Sequence, residues 1–333
     1  MKNFAYERPA TLETALVALA ERPDHDVLAG GTTMVDLLKL GVREPEGLLD
    51  ITGLSELEGY EIGSDRLVFG ALARMSDVGD DERLKDMAPA FTESLWKAAS
   101  PQLRHAARLG GNILQRTRCP YFRDTAFTQC NKRDPGSGCA ALDGGETTLH
   151  AILGGSEACV AMYPGDWAQA LVAFDAEVVA ASRDGTRRIP FAELHVPPGD
   201  SPEIETTLRP GEIVTRIEVP VVPAMKASHY LKARDRESYA FANVSAAVGI
   251  VLDGDTVSDA RIALGGVASV PWRAEEAEAS LVGRPFTEEA AREAGRIAFE
   301  EAEPLEGSAY KIPLGASVVA GALMTAHARA KEA

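Results

Sequence analysis

The sequence predicts an α+β protein, and three observations predict it. Helical and strand patterns are interleaved along 333 residues, rather than segregated or strictly alternating. Two Gly-Gly turns in the first third each follow one regular element and lead toward another. All four cysteines fall between Cys119 and Cys159, in a stretch with little regular pattern. With 45% hydrophobic residues the chain can bury a sizeable core and should divide into two or three domains.

The first helix is expected from TLETALVALAER. The Thr11 hydroxyl can cap it, Glu13 suits the positive end of its dipole, and Leu12, Ala15, Leu16 and Leu19 form one apolar stripe. A short strand, Asp26 to Ala29, then runs into Gly30-Gly31-Thr32-Thr33, and Met34, Leu37 and Leu38 begin another helix. Strand, glycine turn and helix in that order let the backbone approach a ligand closely and offer amide N–H groups to a phosphate. The motif is neither the G-x-G-x-x-G of dinucleotide folds nor a Walker loop.

A helical segment through Phe91, Leu95, Trp96, Ala99 and Leu103 leads to the second turn, Leu109-Gly110-Gly111-Asn112-Ile113. Two such turns, the second just ahead of the first cysteine, point to a shared cofactor pocket. The basic stretch Arg104, Arg108, Arg116, Arg118 and Arg123 could serve a phosphorylated ligand there, although a solvated face explains Arg104 and Arg108 equally well.

Cys119, Cys130, Cys139 and Cys159 are spaced C-x10-C-x8-C-x19-C. The surrounding RCPYFRDTAFTQCNKRDPGSGC is dense in Pro, Gly, Arg and Asp and cannot build an apolar core, so a bound metal group would give it shape. Zinc prefers short C-x2-4-C knuckles, which are absent. Long irregular spacings suit a [4Fe-4S] cluster, with zinc the lesser option. Two disulfides, or four unrelated buried thiols, are the competing readings. Met1 to Ala20 shows no secretory leader, which disfavours the disulfides and leads us to expect a cytoplasmic protein.

Further along, Asp166 can cap the helix of WAQALVAFDAE. Strands are expected in AEVVAAS, TRRIPFAEL and EIVTRIEVP, and Pro220 to Pro223 marks a domain boundary. Beyond it come SHYLKARDR, strands near SYAFANVSAAVGIVLDG and VSDARIALGGV, and helices in AEEAEASLVG, TEEAAREAGRIAFEEA and PLGASVVAGALMTAHARA. A sheet covered by a helical layer is the simplest arrangement.

Thirty-four basic against 50 acidic residues give a net charge of -16, which disfavours nucleic acid and anionic lipid as partners. No apolar run approaches the roughly 18 residues that cross a bilayer, so no membrane insertion is expected. The chain carries no Ser-His-Asp set, nucleophile elbow or paired metal-binding His motif. His105, His150 and His195 read as structural or surface residues.

AGGTTMVDLLK at 29–39, LGGNI at 109–113, the Asp166 position, RPGEIVTRIEVP at 209–220 and YLKAR at 230–234 together resemble the FAD-binding subunit of the molybdenum hydroxylase (xanthine dehydrogenase) family. The cysteine segment is similar to that of the branch containing bacterial periplasmic aldehyde oxidoreductase and, more distantly, 4-hydroxybenzoyl-CoA reductase. The resemblance implies a two-part FAD-binding domain of the vanillyl-alcohol-oxidase type over 1–222, divided near residue 55 and carrying an iron–sulfur insertion at 116–160. A C-terminal domain of antiparallel sheet and helical layer would follow over 223–333.

On that resemblance, Leu28, Ala29, Gly30, Gly31, Thr32, Thr33 and Met34 wrap the FAD pyrophosphate, and Gly110, Gly111 and Asn112 line its other side. Asp166 hydrogen-bonds the cofactor, Val214 approaches the isoalloxazine edge, and Lys232 places a cation near the flavin, where it would stabilise the anionic reduced form. Cys119, Cys130, Cys139 and Cys159 hold the [4Fe-4S] cluster. Many relatives read Thr or Ser where this chain has Arg108.

The implied activity is electron transfer inside a larger complex. A molybdenum subunit oxidises the substrate, a [2Fe-2S] subunit relays electrons, and FAD passes them to an external acceptor. A partner bearing a twin-arginine signal would carry the chain to the periplasm instead of the cytoplasm. The rival readings are a stand-alone flavin oxidoreductase and a zinc-stabilised module without enzymatic activity.

Overall fold

A computed structural model describes residues 1–332. The first sheet is parallel: β1 (Ala5–Glu7), β2 (His25–Leu28) and β3 (Gly47–Asp50) lie in the order β1-β3-β2. Its connections are the helices Leu12–Glu21 and Met34–Leu40. Thr11 and Thr14 form a reciprocal cap on the first, which buries Ala15, Leu16 and Leu19 as the apolar stripe requires. The second ends at Gly41, whose φ of 69° is the left-handed conformation that glycine adopts without strain.

The second sheet is antiparallel and holds β4 (Tyr60–Ile62), β5 (Arg66–Gly70), β6 (Glu177–Ser182), β7 (Gly185–Pro190) and β8 (Ile213–Pro220), ordered β4-β5-β8-β6-β7. The alternation in RLVFG buries Leu67 and Phe69 and leaves their neighbours partly open. The register between β6 and β8 shifts between Val179 and Ala180, so Val179 faces Arg216 while Ala180 faces Val214. That bulge leaves Thr215 over, and its hydroxyl donates to the Val179 carbonyl at 3.0 Å. TRRIPFAEL is therefore only half strand, because Pro190 ends the ladder and Phe191–Leu194 turns into a short helix.

The third sheet, β9 (Ser228–Ala233), β10 (Val244–Asp253), β11 (Thr256–Gly265) and β12 (Trp272–Arg273), is antiparallel in the order β12-β11-β10-β9. Alternate residues of its strands enter different cores. Val248, Ile250, Ile262 and Leu264 pack against Val319, Ala322 and Leu323 of the helix Lys311–Glu332 and against Phe299. Ala247, Ala263 and Tyr230 face the other way, into the core of Trp167, Leu171, Phe69 and Phe91. The C-terminal sheet thus seals both its own helical layer and the helix Trp167–Ala173.

Three expectations need correction. The helical pattern from Phe91 to Leu103 is two helices, Pro89–Lys97 and Pro101–Ala106, because Pro101 forces the preceding Ser100 into the extended region and Ala99 turns at φ 51°. Asp166 stands at the N-terminus of the helix Trp167–Ala173 but makes no capping hydrogen bond, because its carboxylate is engaged elsewhere, as described below. Finally, the last helix is long and apolar enough by length and composition to cross a bilayer. Its apolarity has another use here, since Val318, Val319, Ala322, Leu323 and Ala326 are buried in the core.

Candidate cofactor site and cysteine cavity

The two glycine turns meet. Gly30 lies so close to the chain entering the second turn that a Cβ built on it would stand 2.1 Å from the Ala106 carbonyl oxygen. Gly31 adopts φ 73°, and its carbonyl accepts from the Val35 N–H in the first turn of the following helix at 3.0 Å. These positions need glycine for contact and for conformation respectively.

Between the turns opens a cavity of about 500 Å³. Of the residues expected there, Ala29, Gly30, Gly31, Thr32, Thr33, Met34, Gly110, Gly111 and Val214 line it. Leu28 and Asn112 do not reach the wall, although they flank residues that do. The bulge in β8 is what brings Ile213 and Val214 to this face. A Cβ on Gly111 would meet nothing within 4 Å, so space rather than packing lies over this turn.

Asp166 and Lys232 are placed together but not on the cavity wall. The Lys232 ammonium donates to Asp166 at 2.9 Å and to the Lys97 carbonyl at 3.0 Å, and the Tyr230 hydroxyl donates to the same carboxylate. The pair is closed to solvent, with side-chain exposures of 0% for Lys232 and 5% for Asp166. It ties the helix Trp167–Ala173 to β9 between the two largest cores.

Several lining residues belong to no motif in the sequence. Tyr163 donates its hydroxyl to the Ile113 carbonyl at 3.0 Å, and His195 packs edge-on against its ring. His195 Nε2 lies 2.9 Å from the same carbonyl, which can only accept, so Nε2 carries a proton. Burial holds its pKa down at about 4. Charged lining residues are mostly paired: Arg43 with Asp26, Arg116 and Lys132 with Glu205, and Glu212 with Arg187. Arg118 and Arg123 are spent on Asp36, and Arg104 donates to the Ala98 carbonyl. An uncommitted cation, open space over glycine and stacked backbone turns fit an anionic dinucleotide such as FAD.

All four cysteines line a second, small cavity with Tyr121, Phe122, Asn131, His150 and Ala158. No disulfide joins them. Cys130 and Cys139 face each other across an antiparallel bridge, and Asn131 fixes that loop through Gly138 N–H at 2.8 Å and the Ala158 carbonyl at 3.0 Å. Ala161 N–H points at Cys159 Sγ, 3.4 Å away, and His150 Nε2 is 3.2 Å from Cys119 Sγ. Burial pushes the Cys119 thiol up to about 12 and that of Cys159 up to about 11, so both stand as neutral thiols. Among the described residues no group of three or more His, Cys, Asp or Glu side chains is placed to hold a metal ion. The four cysteines line one small shared space.

Lys132 and Ala161 belong to both walls, so the two cavities are separated by one layer of residues. Behind the cysteine loop Lys311 is fully buried and reaches across from the C-terminal helix. Its ammonium donates to the His150 carbonyl at 2.9 Å and the Gly266 carbonyl at 2.8 Å, and burial lowers its pKa to about 8.

Two family descriptions match the chain in succession. The description "FAD binding domain in molybdopterin dehydrogenase" fits residues 2–222, and "CO dehydrogenase flavoprotein C-terminal domain" fits 228–326. The chain is 42% identical to the aldehyde oxidoreductase FAD-binding subunit PaoB of Escherichia coli K12, over 99% of this chain and 100% of that one. It is 27% identical to the carbon monoxide dehydrogenase medium chain of Hydrogenophaga pseudoflava, over 98% of each. A solved carbon monoxide dehydrogenase from that organism superimposes with a TM-score of 0.77 at 26% identity, covering 98% of both chains. Quinoline 2-oxidoreductase of Pseudomonas putida 86, at 23% identity over 99% of both chains and a TM-score of 0.76, shares the fold.

Proposed function

This chain belongs to the FAD-binding subunits of the molybdenum hydroxylases, and from that membership we propose that it holds a [4Fe-4S] cluster beside its FAD and relays electrons through the flavin. It is an oxidoreductase subunit of the aldehyde oxidoreductase type, and as a medium chain it works beside a large and a small subunit. Electrons released by substrate oxidation in the large, molybdenum-bearing subunit arrive through the [2Fe-2S] small subunit and leave to an external acceptor. FAD supplies the exchange between one-electron and two-electron carriers.

This chain's own residues bind and position. The turns Ala29–Met34 and Gly110–Gly111 cradle the pyrophosphate and Val214 packs at the flavin end, while the closed Asp166–Lys232 pair braces the helix Trp167–Ala173 against β9 away from the cavity wall. Cys119, Cys130, Cys139 and Cys159 ligate the cluster. The observation that carries this reading is the convergence of four sequence-distant cysteines on one space whose wall, Lys132 and Ala161, is also the wall of the FAD cavity. Ligands to one ion close tightly around it, whereas a cluster takes them from separate loops at longer range.

Anaerobic absorption of the purified chain, with iron, zinc and acid-labile sulfide counted, tests it. Flavin bands with a broad iron–sulfur shoulder and about four irons are expected, and Cys130→Ser should lose the shoulder while keeping flavin. Flavin with zinc, or with no metal, would overturn the cluster and leave a plain flavoprotein subunit.

A further inference from the structure

Four cations line the FAD cavity: Arg43, Arg108, Arg116 and Lys132. Arg43 faces Asp26, and Arg116 and Lys132 share Glu205, so three of the four have a carboxylate partner. Arg108 has none among the described residues. Its Nε is buried without a hydrogen-bond partner, and its pKa is lowered first by burial and then by the nearby Arg74, against the weaker opposing pull of Glu58 and Asp77, neither of which comes within ion-pair distance. A guanidinium that is partly desolvated, next to another cation and short of an acceptor costs free energy unless something anionic joins it.

The position of Arg108 says what that anion is. It immediately precedes the helix Leu109–Ile113 that carries the second glycine turn, and its backbone bridges to Arg74. The first turn, Gly30, packs against Ala106, two residues away. Arg108 therefore stands where the two turns come together. Gly111, over which there is open space, follows on the same short helix. Glu203, the lining carboxylate without a cation partner, belongs instead to the loop that carries Glu205 and Thr206.

We propose that Arg108 is an additional FAD-binding residue of this chain, a guanidinium that pairs with the pyrophosphate and so favours phosphate-bearing flavins over riboflavin. A guanidinium brings charge and paired N–H groups, which is the geometry that holds phosphate oxygens in pairs. The proposal rests on FAD occupying this cavity, and it concerns only which side chain neutralises it.

The test is fluorescence titration of the flavin-depleted full chain with FAD, FMN and riboflavin, for the natural protein, Arg108→Lys and Arg108→Gln, at low and high salt. The natural protein should lose FAD affinity as salt rises. Arg108→Gln should bind FAD about 10- to 100-fold more weakly, with a flatter salt dependence. Riboflavin binding should be unchanged, FMN intermediate, and Arg108→Lys should recover part of the loss. Equal FAD affinity in the natural protein and Arg108→Gln would overturn the proposal. So would an equal loss for FAD and riboflavin, because that marks a misshapen pocket rather than a missing charge. If the natural protein binds none of the three flavins, the FAD reading itself fails.

Discussion

Ala161 donates its backbone N–H toward the sulfur of Cys159 at 3.4 Å while standing in the wall of the FAD cavity. One residue therefore touches both spaces, and its small side chain keeps them close. Ala161→Leu should reduce flavin and iron content together, because three added carbons enter a one-residue partition. Gly111→Val, on the opposite turn, should lower flavin and spare iron. Paired flavin and iron assays on both variants check this, and an Ala161→Leu protein with normal contents would contradict it.

Gly30→Ala should expel FAD. The new Cβ would have to displace the Ala106 carbonyl, which is backbone and cannot swing aside. We expect a loss of about 1–3 kcal/mol of stability and flavin occupancy below a tenth of normal, read from thermal unfolding and the flavin-to-protein absorbance ratio.

The Lys232–Asp166 pair is shut away from water, so its members are costly to separate. Lys232→Met should destabilise the fold by about 3–5 kcal/mol, since it strands a buried carboxylate. The double variant Lys232→Met/Asp166→Asn should regain much of that, as urea unfolding of the single and double variants will report.

His195 gives stability a pH slope. Its imidazole has an ordinary pKa near 6.5, held down to about 4 in the fold by burial. Between those values the unfolded chain binds a proton that the folded chain refuses, so stability falls as pH drops from about 6.5 to about 4 and is level above. The full loss is about 3 kcal/mol. Urea midpoints of the natural protein and His195→Gln should converge as pH falls through that window, and parallel curves would refute the assignment.

The legible part of this molecule was local chemistry. Gly30-Gly31 and Gly110-Gly111 announce a backbone that must approach something, and the cysteine segment announces a shape that apolar packing cannot supply. The two turns together pointed to a shared pocket, but the contact that joins them, Gly30 docking at Ala106, leaves no pattern in the sequence. Tyr163 and His195 carried no signal, since their roles come from a shared carbonyl, Ile113, far away along the chain. Val214 reaches the wall through a one-residue bulge, which alternation alone does not register. Asp166 read as a cap because Asp before a helix usually is one, and only the fold brings Lys232 and Tyr230 to claim its oxygens.

Lys311 has a consequence for the order of events during synthesis. The cysteine loop is complete by residue 159, yet the ammonium that holds the His150 carbonyl against Gly266 comes from the last helix. Translation must run through nearly the entire chain before that clamp can close. The carbonyl of His150, at the edge of the cysteine segment, is thus tied to the C-terminal sheet only at the very end of synthesis, when the last helix docks.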